Sequence, residues 1–506
     1  MRRASVAAIV AALAGACAVG AAAAIPAVSA AAHTTTVSGP IVRTPGSEVA
    51  TVRAGGPAAV AATSTSHGFL GIATSLSTIP GLAGPPGDLD TPFLNLLRNL
   101  SPGAPVLLRL GGNSGDNSWW PISGIRERYL YTLSSQWGAR VHALLAALGG
   151  KAIIGVNLKE GPRIDSRIAT AEVHDFNRYI GANLIDAFEL GNEPEFYPLS
   201  VVTGSRVPGP VTIAAYTKEF SHIASELGGV PLAGPSSVGP VWLSELGTVL
   251  SELPSRLKLV TVHAYPLMNC SRLARLSMSD FFTTASIQGL ADAIHGEVAA
   301  AAAHGKGLRV DEINGITCGG KAGLSNSFGE ALWALNVLPA LWQAGVEGVN
   351  FQAIYGDYNQ MIHADRSRSG WRVTVEPEYY GLLAFASVTP AGSRMLTVST
   401  PGLAGFYQFA VRAPDRSERV VLTNVGAVAR TVGVSAAGTH GTGSLSFLSA
   451  KSLGATSGAT LAGQSLSPRT GRLAGSPRLT LVKPNSSGVY AVRVPAGAAA
   501  ILKLSG

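Results

Sequence analysis

The 506-residue sequence predicts an α/β fold, in which a (β/α)8 TIM barrel is joined to an accessory C-terminal β-sandwich domain. Two observations lead to this prediction. Short apolar runs alternate with alanine- and leucine-rich helical segments over about 290 residues, which is typical of βα units around a parallel sheet. Short alternating strands with glycine, serine, threonine and proline turns then follow, as in a sandwich.

Eight apolar runs can be counted in the first region, each with the length of a buried strand. Helical patterns separate them, for example at 137–148, 286–304 and 328–343. Eight such repeats close into a barrel, with helices outside it. The predicted strands are 67–75, 106–112, 151–158, 185–191, 230–236, 257–264, 307–313 and 346–354.

The N-terminus has the pattern of an export signal. Arg2 and Arg3 precede an alanine-rich apolar stretch, and small residues at 27–30 resemble a cleavage site. We therefore interpret residues 1–30 as a signal peptide, with a membrane anchor as the alternative. A secreted, extracellular protein without a membrane span after signal removal is expected.

Three parts follow the signal peptide. Residues 33–62 predict short strands that have no place in a barrel, so we expect them to join the C-terminal sandwich. The catalytic barrel is assigned to 67–372 and the β-sandwich to 373–506.

After signal removal, Cys270 and Cys318 are the remaining cysteines. Two cysteines in an exported chain predict one disulfide, and two buried free thiols are the alternative. Both residues lie just past the ends of consecutive predicted strands, which favours the bridge.

The net charge of +8 includes two arginines of the signal segment, and no run of five or more basic residues occurs. A nucleic-acid partner is therefore not expected, whereas an acidic polysaccharide is compatible with the charge. The sequence has no HExxH motif, no phosphate-binding glycine loop and no Gly-x-Ser-x-Gly elbow. We accordingly expect no metal and no cofactor.

Two glutamates follow barrel strands where catalysis is expected. Glu193 comes after the fourth predicted strand and Glu312 ends the seventh, so both should reach the same rim. Glycoside hydrolysis requires two such carboxylates across a sugar. A surface ion pair is the alternative for Glu193. Asp311 competes with Glu312, but strand alternation turns Asp311 to the other face.

Several motifs occur in order along the chain. They are Leu-Arg-Leu-Gly-Gly-Asn at 108–113, Gly-Asn-Glu-Pro at 191–194, His-Ala-Tyr-Pro at 263–266, Glu-Ile-Asn at 312–314 and Ser-Phe-Gly-Glu-Ala-Leu-Trp at 327–333. Together they resemble glycoside hydrolase family 79, the β-glucuronidase and heparanase group of the clan A barrels. The resemblance extends over residues 67–390.

This resemblance implies a retaining mechanism. Glu193 would act as acid and then as base, Glu312 would form the covalent glycosyl intermediate, and Asn192 would hold the sugar 2-hydroxyl. Arg109 is expected to keep Glu312 charged, because an arginine within an apolar strand needs a partner; an outward ion pair is the alternative. Tyr265 could donate to Glu312 or pack on a neighbouring loop.

Sugar contacts are expected from the other strand ends. Ser77 follows the first strand, and Asn113 and Asp116 follow the second, although these residue types are equally common in ordinary turns. Gly356 and Tyr358 follow the eighth strand and resemble a family element that grips the carboxylate of a uronic acid.

Aromatic residues and departures from the family pattern complete the predicted site. Trp119 and Trp120 are candidate platforms for a sugar ring. The family often has an acidic residue where this chain has Ser75, and some members have a tyrosine where it has Thr317. Both differences fall near the sugar, so they affect the expected substrate rather than the expected reaction.

The sequence therefore predicts a secreted retaining glycosidase that removes terminal β-linked uronic acids from a carbohydrate. The same barrel acting on a neutral β-glycoside, or cutting internally as heparanases do, is the first alternative. A non-catalytic carbohydrate-binding protein on this scaffold is the second.

Overall fold

The computed structural model describes residues 33–37, 51–57, 68–125, 131–160, 162–199, 212–253, 255–271, 273–353, 355–399, 402–436 and 441–505. The predicted signal peptide, residues 1–30, lies outside them. Within the described ranges, no helix has both the length and the apolarity needed to cross a bilayer.

Eight parallel strands close into the predicted barrel, which confirms the fold class. Two strands precede the barrel along the chain, and a small pair, β5 and β6, lies outside its wall. In chain order the strands are β1 (His33–Val37), β2 (Thr51–Pro57), β3 (Leu70–Thr74), β4 (Leu107–Leu110), β5 (Ser118–Trp119), β6 (Tyr131–Thr132), β7 (Lys151–Val156), β8 (Ile185–Leu190), β9 (Leu232–Ser237), β10 (Leu257–Ala264), β11 (Gly307–Ile313) and β12 (Gly348–Gln352).

The order around the barrel is β10-β11-β12-β3-β4-β7-β8-β9. Each barrel strand is therefore the neighbour of the barrel strand that comes next along the chain. Helices connect them along the outside. These are α1 (Ile79–Ala83), α2 (Thr91–Leu100), α3 (Ser135–Leu148), α4 (Pro162–Phe176), α5 (Ile213–Glu226), α6 (Pro240–Ser244), α7 (Leu246–Glu252), α8 (Leu290–Ala303), α9 (Phe328–Ala344) and α10 (Pro377–Val388).

The accessory domain is an eleven-stranded sheet into which β1 and β2 are incorporated. Strand β1 pairs with β23, and β2 lies between β15 and β18. After the hairpin β13 (Ile362–Ser367) and β14 (Gly370–Val375), the strands are β15 (Arg394–Ser399), β16 (Phe406–Arg412), β17 (Glu418–Asn424), β18 (Arg430–Ala436), β19 (Gly443–Ser449), β20 (Thr460–Leu461), β21 (Ser465–Leu466), β22 (Leu473–Ala474), β23 (Arg478–Val482), β24 (Val489–Val494) and β25 (Ala498–Leu504).

This sheet curls back on itself. Val420, Leu445 and Val492 come from distant positions along the strand order, yet they belong to one apolar core. On the barrel side, Phe385 of α10 packs against Phe409 of β16, with ring centroids 6.1 Å apart. The boundary at 372/373 stays a prediction; α10, which follows it, packs against α9 and α2.

The inside of the barrel is layered. Leu107, Ile153, Ala187, Ala233 and Leu259 form a separate buried cluster contributed by neighbouring strands. Because side chains two residues apart share a face of a strand, the next layer toward the carboxyl ends contains polar side chains of the same strands. The candidate site begins in that layer.

Candidate active site

Arg109 is the centre of the buried polar layer. Its Nη1 donates to Glu312 Oε2 at 2.6 Å, and its Nε donates to Glu189 Oε2 at 2.8 Å. Its Nη2 donates to Asn192 Oδ1 at 2.7 Å and to Ser236 Oγ at 3.0 Å. The rigid guanidinium therefore connects the ends of four barrel strands, and its charge is fully enclosed.

A third acid, Asp311, also contacts this arginine. The expectation that strand alternation turns Asp311 away from Glu312 is therefore wrong, because the pairing of β11 with β12 is irregular between Val310 and Ile313. Asp311 Oδ2 is 3.5 Å from Arg109 Nε. Burial and the neighbouring Glu189 raise the pKa of Asp311 well above its usual value. Burial also opposes ionisation of Glu189, but Arg109 and a hydrogen bond with Asp311 outweigh it and lower its pKa to about 2. These opposite directions favour a neutral Asp311 beside an ionised Glu189.

Glu312 is held at both carboxylate oxygens. Arg109 occupies Oε2, and the hydroxyl of Tyr265 donates to Oε1 at 2.7 Å. Gln352 Oε1 lies 2.8 Å from the same tyrosine oxygen, which fixes the hydroxyl between the two side chains. The side chain of Glu312 is only 1% exposed. Charge-assisted hydrogen bonds of this kind hold a carboxylate in one orientation.

Glu193 lies just after β8 on strained backbone. Its φ of 45° is in the left-handed region, which costs a residue with a side chain roughly 1–3 kcal/mol. Two backbone hydrogen bonds hold it there: Glu193 N donates to Ser236 O, and Phe196 N donates to Glu193 O, both at 2.9 Å. Ser236 also has a positive φ, of 56°. Such strain is concentrated at functional sites.

The surroundings of Glu193 favour its protonated form. Burial raises the pKa of Glu193 to about 8, the negative charge of Glu195 adds to the increase, and Arg109 opposes it. Its side chain is nevertheless 17% exposed, so it is the more open of the two glutamates.

His263, at the end of β10, contacts Glu193. The ring Nε2 lies 3.3 Å from Arg109 Nη2 and 2.9 Å from Ser236 Oγ. The guanidinium cannot accept a hydrogen bond from Nε2, whereas the Ser236 hydroxyl can donate to it, so we assign the proton of the ring to Nδ1. Burial lowers the pKa of His263, consistent with this neutral form. The Nδ1–H then donates to Glu193 Oε1 at 2.8 Å, which leaves Oε2 to carry the acidic proton.

Glu193 and Glu312 converge as their sequence positions predict. One carboxylate oxygen of each lies within 4.8 Å of the other and of a ring nitrogen of His263. Retaining glycosidases have their carboxyl groups about 5–5.5 Å apart, whereas inverting enzymes need about 6.5–9.5 Å. The spacing matches the shorter class.

These three side chains also lie close enough together to hold a metal ion. The nitrogen of His263 nearest both carboxylates is the one that carries the proton in the tautomer above, so it is not free to bind a cation. Arg109 already supplies a positive charge to Glu312. The expected absence of a metal remains an expectation.

Of the other predicted substrate residues, Asn192 and Asn113 contact each other, whereas Ser77 and Tyr358 are exposed on separate loops. Asn192 Nδ2 donates to Asn113 Oδ1 at 3.1 Å, so Asn113 lies against the residue that precedes Glu193. Ser77 is exposed after β3. Tyr358 is exposed after β12, and its backbone N donates to Gly319 O at 3.0 Å.

Cys270 and Cys318 form a disulfide that joins the loops after β10 and β11. Gly319 follows the second cysteine directly, so this bridge also lies next to the loop that carries Gly356 and Tyr358. Gly356 has a φ of 91° and donates from its backbone N to Gln360 Oε1 at 2.8 Å.

Asp116 does not reach the open part of the site. It is 1% exposed, and Tyr197 Oη donates to its Oδ1 at 3.1 Å. The same Tyr197 oxygen accepts from Asn192 N at 3.0 Å. Burial raises the pKa of Asp116 to about 7. Asp116 therefore supports the loop of Asn192 from behind, where its sequence position predicts a sugar contact.

The two candidate aromatic platforms are also buried. Trp119 lies in the core with Ile168, and the ring of Trp120 stacks on Tyr179 at 5.3 Å. Both tryptophans are therefore packed under other side chains and present no open face for a sugar.

Sequence reasoning missed Ser236 and Gln352, and it gave His263 no part in proton chemistry. All three lie at carboxyl ends of barrel strands and are fully buried. A polar residue at the end of an otherwise apolar strand was the available signal. That signal does not tell which neighbour the side chain contacts.

Comparisons with known proteins concern the fold. No protein-family model matches the chain, and no curated protein matches it. Solved structures do match. A 4-O-α-L-rhamnosyl-β-D-glucuronidase from Fusarium oxysporum 12S, solved as a complex with Rha-GlcA, has a TM-score of 0.71 and 20% identity over 90% of this chain and 100% of that chain.

Two further structures are similar. A GH51 arabinofuranosidase from Xanthomonas axonopodis pv. citri has a TM-score of 0.60 and 16% identity, over 90% of this chain and 100% of that chain. A glycoside hydrolase family 44 xyloglucanase from Paenibacillus polymyxa has a TM-score of 0.57 and 12% identity, over 90% and 99%. These neighbours are clan A glycoside hydrolases. At such identities, the likeness establishes a shared barrel with an accessory β domain.

Proposed function

We propose that the protein is a secreted, retaining, β-glucuronidase-like glycoside hydrolase that removes terminal β-linked uronic acid residues. The proposal rests chiefly on the pairing of Glu193 and Glu312. Their carboxylate oxygens lie within 4.8 Å, and their surroundings differ in the way that double displacement requires. The signal-peptide pattern and the disulfide support secretion.

In the first step, Glu312 attacks the anomeric carbon. Its ionised oxygen forms a bond to that carbon, while the bond to the leaving oxygen breaks. Glu193 Oε2 gives its proton to the leaving oxygen, so the leaving group departs as an alcohol. Arg109 and Tyr265 hold the nucleophile in place before the attack.

In the second step, a water molecule replaces the leaving group. The Glu193 carboxylate, now deprotonated, takes a proton from the water as it attacks the anomeric carbon, and the bond to Glu312 breaks. Two displacements restore the original anomeric configuration. Glu193 regains its proton and Glu312 regains its charge, so the cycle closes.

Substrate contacts are assigned to the rim residues nearest the pair. Asn192, with its amide fixed by Arg109 and Asn113, is suited to hold the 2-hydroxyl, a contact that strengthens in the transition state. We assign the carboxylate of the uronic acid to the loop of Gly356 and Tyr358, and Ser77 to an outer hydroxyl. Asp116 is given a supporting role only.

The proposal is tested with aryl β-glycosides that differ in the sugar alone, followed by NMR of the first anomer released. We expect turnover of the glucuronide and initial release of the β-anomer. Turnover of a glucoside but not the glucuronide would reassign the substrate to a neutral sugar, and initial α-anomer would reject retention. Binding without turnover of any glycoside would make the protein a carbohydrate-binding one.

A further inference from the structure

Large hydrophobic side chains that are exposed to solvent are concentrated on one side of the molecule. In the part of the chain that the structure describes, seven are exposed, and six of them follow barrel strands at the carboxyl-terminal rim. The seventh, Val428, lies between β17 and β18 of the accessory sheet. Exposed hydrophobics that are scattered singly are ordinary, but a concentration around a site indicates a role. The six are Phe196, Val241, Met268, Leu273, Tyr355 and Tyr358.

Phe196 and Val241 are the two that adjoin the proposed acid. Phe196, 42% exposed, comes three residues after Glu193 and is hydrogen-bonded to it through the backbone. Val241, 70% exposed, is in α6, which follows β9.

A single carboxylate fastens their two loops together. Glu195 Oε1 accepts from Ser237 Oγ at 2.7 Å, from Val238 N at 2.8 Å and from Gly239 N at 2.6 Å. Phe196 directly follows this glutamate, and Val241 comes two residues after Gly239. The two apolar residues therefore belong to loops that are joined at one point, which we call the Glu195 junction.

The chemistry of the reaction determines what this junction faces. The acid must contact the glycosidic oxygen, so the atoms bonded to the other side of that oxygen lie on the Glu193 side. Glu193 is 17% exposed and Glu312 only 1%, so the opening is on the same side. The leaving group consequently lies on the same side of the pair as the loops that carry Phe196 and Val241.

We propose that Phe196 and Val241, beside the Glu195 junction, form an apolar subsite for the leaving group. The preferred substrate then carries a hydrophobic alkyl or aryl aglycone. This inference rests on the proposed function. A second sugar would need hydrogen-bonding side chains, whereas Oε1 of Glu195 is already used by three donors and its Oε2 is buried away from solvent. Two exposed apolar side chains instead gain from covering a hydrophobic group.

The test measures binding separately from chemistry. Methyl and octyl 1-thio-β-glycosides of the sugar that the enzyme accepts are compared as competitive inhibitors. We expect the octyl compound to have a Ki lower by about tenfold or more, since burial of two methylene groups supplies that factor. A thio-linked disaccharide of the same sugar should bind less tightly than the octyl compound.

Variants then locate the effect. The double change Phe196→Ser and Val241→Ser should remove most of the octyl-to-methyl ratio, and Val428→Ser, a matched loss of an exposed hydrophobic elsewhere, should leave it intact. An undiminished ratio in the double variant, a ratio near one in the wild type, or tighter binding of the disaccharide would each overturn the apolar subsite.

Vesicle binding and turnover separate the subsite from a lipid-binding surface and from a failure of the proposed function. If the wild type sediments with phosphatidylcholine vesicles and the double variant does not, Phe196 and Val241 belong to a lipid-binding surface and the subsite proposal is wrong. If the wild type neither turns over any β-glycoside nor binds any thioglycoside, the proposed function itself fails. Normal turnover with no alkyl preference rejects the subsite alone.

Discussion

Glu312 and Glu193 are the same amino acid in opposite surroundings. Glu312 is sealed inside the barrel, with an arginine on one oxygen and a tyrosine on the other. Glu193 is partly open, on strained backbone, beside a neutral histidine and near the negative charge of Glu195. One environment fixes both carboxylate oxygens with donors and the other favours the neutral acid, so the proposed roles follow from the neighbours rather than from the residue type.

Removing each carboxylate should have the largest effects and should separate the two roles. We expect Glu312→Gln to lower kcat by roughly 10⁴-fold or more for every leaving group, because no covalent intermediate can form. Glu193→Gln should lower kcat by roughly 10²–10⁴-fold for a poor leaving group and much less for dinitrophenyl, which needs no proton.

The measurement is kcat across aryl glycosides with leaving groups of different acidity. Glu226→Gln, a change at an exposed glutamate on α5, is the control and should retain full activity. Equal dependence on leaving-group acidity in both catalytic variants would contradict the division of roles.

Arg109 should matter next, because it balances the charge on the Glu312 side. Arg109→Met leaves buried carboxylates without their partner, and we expect a loss of about 3–5 kcal/mol in the free energy of unfolding. Arg109→Lys keeps the charge but loses the fork geometry, so it should fold and still lose turnover. Denaturant unfolding and kcat measure the two effects; a fully active lysine variant would refute the geometric requirement.

The Cys270–Cys318 bridge fastens the loops on the Glu312 side and closes a separation of 48 residues. Replacing both cysteines by serine should lower the free energy of unfolding by about 2–4 kcal/mol, by relaxing the unfolded chain. The reduced wild type is the matched control and should behave like the variant. Arg109 and Tyr265 hold Glu312 without the disulfide, so kcat should change less than the free energy of unfolding. A large loss of kcat with unchanged stability would contradict a purely stabilising role of the disulfide.

The smallest expected effect concerns the Glu193 side. In the wild type, kcat/KM should fall as pH rises through about 8, because only protonated Glu193 can donate. Glu195→Gln keeps an oxygen to accept the loop hydrogen bonds but removes a negative charge. The pKa of Glu193 should then fall, and the alkaline limb should move to lower pH by up to about one unit.

The pH profile of kcat/KM measures this shift, and Glu226→Gln should leave the limb in place. A limb that moves to higher pH, or does not move, would show that Glu195 does not act on the acid through its charge.

The sequence was most informative where a repeating pattern determined the structure. The apolar runs at 257–264 and 307–313 coincide with β10 and β11, because a barrel strand buries apolar side chains against the surrounding helices. Strand ends in turn predicted that Glu193 and Glu312 would meet.

Loop residues were less predictable, since a loop has no period that assigns a side chain to a face. Asp116 has the residue type of a sugar contact but packs behind Asn192 against Tyr197. The tautomer of His263 depends on Arg109 and Ser236, which come from two other strands. Contacts between such distant segments cannot be predicted from the residue pattern of a single strand.

Strand β2 precedes the barrel along the chain, yet its neighbours in the sheet are β15 and β18 from the opposite end. During synthesis this segment emerges before the whole barrel, so β15 and β18 are not yet available to pair with it. Completion of the sheet is therefore a late folding event. Until it occurs, the open strand edges are the part of a newborn chain most exposed to aggregation.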